Sequence, residues 1–384
     1  MRSSFLKRML NSGWTVAATA WAFACLFVAS PVPAGTAEQN TSVRLVRQGA
    51  EQMKAGDYQS ARDSFYEALR YNDEDAAAHL GLGLASFHLR QDIDAEQELN
   101  RALELDPKSV TALQWLGEVY YRRDDLESAV AAWERALALD PSSEALKSRI
   151  ERVKKELRTE KDFNKEYTSH FQIKYEGNEN IETGRIVRGI LEDAYSEVGH
   201  GLFYYPYGEI QVILYSGQQF QEVTDAPGWS GGLFDGKIRL PIGGIDKETP
   251  GLRRLLFHEY THAVVRSITP RCPSWLNEGL AQYFEGKKME DGQAAMLRKL
   301  AQAGKLPPLS GLEGSFNGLN GNQAVVAYLA SLSAVQYMVD SFGMYRVKIV
   351  LDELAAGANT ATAVNNGILL SYEEFERGWR RSLE

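Results

Sequence analysis

Across residues 42–143 the apolar positions of the chain recur with a step of 34 residues. Gly49, Gly83 and Gly117 keep that step; so do Ala61, Ala95 and Ala129, then Phe65, Leu99 and Trp133, then Ala68, Ala102 and Ala136, and finally Asp73, Pro107 and Pro141. Columns held in register in this way mark stacked structural repeats. The small columns let two antiparallel helices approach, and the large apolar column fills the space between them. Pro107 and Pro141, each preceded by Asp, stop the second helix of their repeats. Three helix pairs suffice for a stacked core, and residues 144–158, charged and amphipathic, predict a helix suited to cap its open end.

Beyond a polar joint at residues 159–169 the period changes. Residues 170–175 and 209–215 are short alternating or β-branched runs that predict strands, with a helix over about 183–198 between them. Residues 231–240 predict a further strand pair, or one strand entered through a Gly turn, and after Gly251 the pattern is mostly helical. The second half therefore predicts an α+β domain, a small sheet followed by helices.

The first residues follow another pattern. Arg2, Lys7 and Arg8 precede an apolar run over 14–29, followed by Ser30, Pro31 and the small stretch Val32-Pro33-Ala34-Gly35. This is the layout of a secretory signal peptide spanning residues 1–34, and it predicts a secreted or periplasmic protein. An uncleaved anchor is the competing reading, but the run falls short of the roughly 20 residues a bilayer core needs. Lipidation at Cys25 fits its apolar surroundings poorly. No later run is expected to span a membrane. After cleavage Cys272 is the one cysteine left, which excludes an internal disulfide; a lone thiol usually acts as a small buried hydrophobe.

The composition is that of a globular protein, with 44% hydrophobic and 24% charged residues. The formal net charge of -9 comes without a Lys/Arg stripe interleaved with aromatics, so nucleic acid is not an expected partner. The repeat region resembles the tetratricopeptide repeat family, with Leu116-Gly117, Tyr120, Ala129, Trp133, Ala136 and Pro141 carrying the likeness and Gln48, Gln52 and Asp73 departing from it. The resemblance implies a face that docks peptides or proteins; an array that only spaces or rigidifies the chain is the other reading. His79 and His88 in the second repeat, and His170 and His200 later, have no ligand-spaced partners in sequence and read as packing or surface residues.

The chemistry lies in His258-Glu259-Tyr260-Thr261-His262, on a helix expected from near Pro250 to about Ile268. Positions i and i+4 project from one helix face, so both imidazoles can reach one ion, with Glu259 beside them to act on water. A catalytic zinc site needs a third protein ligand and an open fourth position. From His262 the helix runs on for about six residues, roughly 9 Å, before Pro270 breaks it. Ser274 is a good N-cap for a returning helix, and Glu278 lies about four residues, roughly 6 Å, back along it. Those lengths bring the Glu278 carboxylate level with His262.

Together with Trp275-Leu276-Asn277-Glu278-Gly279-Leu280-Ala281, the motif resembles the gluzincin metallopeptidases, the group of thermolysin and the aminopeptidase N family. The resemblance implies one Zn2+ held by His258, His262 and Glu278, with Glu259 as general base. Fifteen residues separate His262 from Glu278, a tighter hairpin than in well-known members, and the Gly-Ala-Met-Glu-Asn segment that holds a free amine has no counterpart. The expected activity is therefore that of an endopeptidase. Tyr328 is the candidate donor to the tetrahedral oxyanion, with a core or surface tyrosine as the alternative. Gln282 is either a partner that orients a ligand or an exposed helix residue. By the same resemblance the strand near Phe234–Leu240 pairs with extended substrate; otherwise it is an ordinary sheet edge. The expected architecture is thus an all-α tetratricopeptide-type array with its cap (residues 42–158) followed by an α+β zincin-like metallopeptidase domain (168–384). The rival reading is a repeat-based binding or scaffold protein whose zinc domain is structural or inactive.

Overall fold

The computed structural model describes residues 37–224, 232–242 and 244–384; the expected signal segment, 1–34, lies outside them. The chain divides into two compact units, one ending at Leu146 and the other running from Lys147 to Glu384.

Among the described residues the first unit holds six complete helices: α1 (Ala37–Ala55), α2 (Tyr58–Leu69), α3 (Ala76–His88), α4 (Asp92–Leu105), α5 (Val110–Arg122) and α6 (Leu126–Leu139). They pack as the pairs α1/α2, α3/α4 and α5/α6. Each pair closes by one device. A Cβ on Gly49 would lie 2.8 Å from the Phe65 ring, on Gly83 2.8 Å from Leu99, and on Gly117 2.3 Å from Trp133. The small column therefore exists because the large column occupies its space. Phe65, Leu99 and Trp133 are all buried, as is the alanine column Ala61, Ala95 and Ala129. Asp57, Asp75, Ser109 and Asp125 cap their helices through side-chain oxygens. Between repeats, Arg122 pairs with Asp92 and donates to the Phe87 carbonyl at 2.9 Å. His79 pairs with Glu98 at 2.6 Å, and His88 stacks on Tyr58 at 4.3 Å, so both histidines serve packing.

The second unit begins with most of α7 (Glu144–Glu160), which leads into a five-stranded sheet. Its strands are β1 (Phe163–Tyr167), β2 (Phe171–Glu176), β3 (Ile210–Leu214), β4 (Leu233–Phe234) and β5 (Ile238–Leu240), in the order β1-β2-β3-β5-β4. β2, β3 and β5 run parallel, and β1 and β4 are antiparallel edges. β1 lies in the stretch expected to be a polar joint: its Asn164, Lys165 and Glu166 mask a strand that is held by pairing with β2.

One sheet face is apolar. Phe171, Ile173, Val212, Leu214, Ile238 and Leu240 pack there with α8 (Ile181–Leu202) and α10 (Pro250–Ile268). The other face joins a small cluster of Phe163, Ile213, Tyr215, Phe220 and Val223, including residues of α9 (Gly217–Thr224), to a set of charges facing α7. The segment expected to cap the repeats thus carries Glu156 and Glu160 buried against Lys174 and Arg239 of the sheet.

Helices α11 (Ser274–Phe284), α12 (Asp291–Gln302), α13 (Gly321–Phe342), α14 (Met344–Ala355), α15 (Thr360–Ile368) and α16 (Tyr372–Ser382) complete the unit. α13 corrects one expectation: among the described residues it is long and apolar enough to cross a membrane. Half of its most apolar window is buried, because α13 is a core helix that packs on α11, α12, α14 and α16.

Candidate metal centre

The centre is built by the hairpin of α10 and α11. Thr249 caps α10 by accepting from Leu252 N at 3.1 Å, and Pro250 occupies its first turn. Arg253 ties that turn to α8 through Asp193 and Glu197, at 2.7 and 3.1 Å. Leu256, Tyr260 and Val264 bury one face of α10, which fixes the rotation of the helix about its axis. Pro270 and Pro273 stand in the turn to α11. Ser274, expected as the cap, is instead the first helical residue; Pro273 takes the cap position and Ser274 N donates to the Glu313 carbonyl at 3.1 Å. Trp275, Leu276 and Leu280 anchor α11 in the core. Gly279 lets it approach α13: a Cβ there would lie 2.4 Å from the Ser331 carbonyl oxygen.

This scaffold brings together His258, His262 and Glu278, whose potential ligand atoms all lie within 4.8 Å of one another. His258 Nε2 and His262 Nε2 are 3.2 Å apart, and each is 3.7 Å from Glu278 Oε2. The point equidistant from these three atoms is about 2 Å from each, the length of a bond from nitrogen or oxygen to zinc. Glu278 Oε2 is buried and has no hydrogen-bond partner among the described residues. An orphaned carboxylate oxygen facing two imidazole nitrogens fits a divalent cation, which would supply the missing partner to all three.

Two further carboxylates complete the surroundings. Glu285, two helical turns beyond Glu278, accepts from His258 Nδ1 at 2.8 Å. That bond leaves Nε2 of a neutral His258 as the free lone pair facing Glu278. Burial opposes charging His258, but the hydrogen bond to Glu285 and the charges of Glu259, Glu278 and Glu285 together raise its pKa. Glu259 is buried beside the triad, and burial raises its carboxyl above the ordinary range against the pull of His262 and His258. Gly232, just before β4, adjoins it: a Cβ there would lie 2.8 Å from Glu259 Oε1.

Gln282, expected either to orient a ligand or to lie exposed on its helix, does neither. It is buried, donates to the Tyr328 and Glu278 carbonyls at 2.9 and 3.2 Å, and accepts from Lys287 at 2.9 Å, pinning α11 to α13. Glu285 was the missed residue, and its spacing of seven from Glu278 was the available signal. Tyr328, on α13, packs edge-on against Phe316 at 5.5 Å. Burial, then the charges of Glu278 and Glu259, push its phenol well up, so it stays protonated. Cys272 is a free thiol pushed up by burial. His170 pairs with Glu192 at 2.7 Å and stacks on Tyr195 at 3.7 Å, while His200 is exposed near the end of α8.

Comparison with known proteins agrees with this division. Residues 46–109 and 110–143 match tetratricopeptide repeats, and residues 206–384 match the Peptidase MA superfamily. The chain is 30% identical over 96 residues to anaphase-promoting complex subunit 3 of Schizosaccharomyces pombe, covering 25% of this chain and 14% of that protein. It is 33% identical over 115 residues to the Hsp70-Hsp90 organizing protein of Triticum aestivum, covering 28% and 18%. It therefore spans less than a fifth of either relative. Among solved structures, the first tetratricopeptide domain of Spaghetti (RPAP3) bound to an HSP90 peptide is 22% identical, covering 31% of this chain and 95% of that one at a TM-score of 0.31. The OM64 domain of Arabidopsis is 24% identical, covering 31% and 98% at 0.30. The chain thus carries tetratricopeptide repeats followed in sequence by a Peptidase MA superfamily domain.

Proposed function

We propose that the protein is a zinc-dependent endopeptidase, with His258, His262 and Glu278 holding one Zn2+ and Glu259 serving as general base. The observation that carries this reading is the convergence of two Nε2 atoms and an orphaned Glu278 oxygen beside the buried Glu259. Zinc held there supplies Lewis acidity and makes water nucleophilic near neutral pH. Glu259 takes the proton of the attacking water and returns it to the leaving amine. Tyr328, kept protonated, donates to the developing oxyanion. The outer edge of β4 receives extended substrate by strand addition, and Gly232, having no side chain, lets the strand enter directly against Glu259.

The repeats dock the protein substrate or a protein partner, and residues 1–34 direct the chain out of the cytoplasm to a periplasmic or secreted location. The deciding experiment pairs metal analysis with a peptide-library digest of wild type and Glu259→Ala. The wild type is expected to bind one zinc and cleave within peptides, and the variant to keep the zinc and lose cleavage. A wild type that binds zinc and cleaves nothing would leave the repeats as the functional part.

A further inference from the structure

The charged face of the sheet has no part in the chemistry above, yet it is built at high cost. Arg149, Val153, Glu156 and Glu160 fall on one side of α7 and are all buried. Opposite them Arg239 of β5, 1% exposed, meets Glu156 at 3.0 Å, Glu160 at 3.5 Å and Asp235 at 3.2 Å, and donates to the Tyr215 hydroxyl at 2.6 Å. Tyr215 in turn donates to Glu160, Lys174 pairs with Glu160 at 2.8 Å, and Lys237 lies 3.9 Å from Glu156. Apolar residues of similar volume would generally hold two elements together as well or better. Stability alone therefore does not account for this network, whereas directional bonds converging on Arg239 of β5 would.

That strand belongs to the hairpin beside Glu259. β4 pairs with β5 at only two positions, Leu233 with Arg239 and Phe234 with Ile238. So short an edge has little intrinsic stability. Asp235 in its turn and Arg239 in its second strand are both held by the network, and the hairpin is entered through Gly232, against Glu259. We propose that Glu156 and Glu160 of α7 are positioning residues that set the β4–β5 hairpin, and with it the peptide-binding edge of the site. The role as peptide edge rests on the endopeptidase reading; the positioning of the hairpin does not.

The test uses the full-length zinc-loaded chain with Glu156→Gln, Arg239→Met and the conservative Arg239→Lys, reading backbone hydrogen exchange, KM and kcat. Glu156→Gln and Arg239→Met are expected to speed exchange over residues 233–240 about tenfold while residues 210–214 keep their protection. They should raise KM about tenfold with kcat within about threefold, and Arg239→Lys should recover part of the loss. Uniform loosening of both segments, or a loss confined to kcat, would overturn the proposal. If Arg239→Met does not fold, Tyr215→Phe removes one bond of the same clasp and should show the same pattern at smaller size. Should the wild type cleave no peptide, the endopeptidase reading fails, and the exchange arm still decides whether α7 sets the hairpin.

Discussion

Glu285 Oε2 lies 2.8 Å from Nδ1 of His258, on the opposite side of the ring from the nitrogen that faces Glu278. The bond fixes both the tautomer and the tilt of the imidazole. Replacing Glu285 with Gln keeps a weaker acceptor, and replacing it with Ala removes it. Glu285→Ala is expected to lower zinc affinity about 10- to 100-fold, with Glu285→Gln in between. A competitive chelator titration reads this, and equal affinity in all three proteins would show that His258 needs no such support.

Tyr328→Phe removes one hydroxyl and leaves the backbone carbonyl that holds Gln282. If the phenol donates to the oxyanion, kcat should fall about 10²- to 10³-fold with little change in KM. A variant with unchanged kcat would return Tyr328 to a packing role against Phe316.

Gly279→Ala places a methyl group 2.4 Å from a backbone oxygen that cannot rotate away. The helices must part, at a cost of about 1–3 kcal/mol. Both the melting temperature and the zinc affinity should drop, because Glu278 precedes this residue. Unchanged melting would mean that α13 yields freely.

His88 in the repeats is driven down to a pKa of about 4 by burial, then by the nearby charges of Arg122 and Arg90. The folded state therefore holds this proton more weakly than the unfolded chain, where the value is 6.5. Stability carried by the neutral ring is fully present above pH 6.5 and is lost as pH falls from there toward 4. Denaturant melts of the repeat unit should show this acid slope, and His88→Phe, which keeps the stack on Tyr58, should flatten it. An identical slope in the variant would assign the acid loss to other groups.

Much of this was legible in the chain. The 34-residue step is readable because each glycine is dictated by one bulky partner: Gly49, Gly83 and Gly117 stay glycine while Phe65, Leu99 and Trp133 fill the space beside them. The meeting of His258, His262 and Glu278 follows from helix rise and one proline-marked turn. What escaped notice depends on contacts distant in sequence. β1 reads as a joint because Lys165 and Glu166 owe their strand to β2. Glu285 is recognisable only once it is known which ring nitrogen faces inward. The helix bearing Glu156 reads as a cap for the repeats, and Glu160 as part of a polar joint, until the cations of β2 and β5 come opposite them.

Stripping away everything up to Glu160 would uncover lysine and arginine side chains, not a greasy sheet, so the remaining fragment could stay dissolved and look healthy by that criterion. If α7 sets the β4–β5 hairpin, that hairpin would nonetheless have lost its brace. Good yield of a shortened version would then conceal a displaced edge.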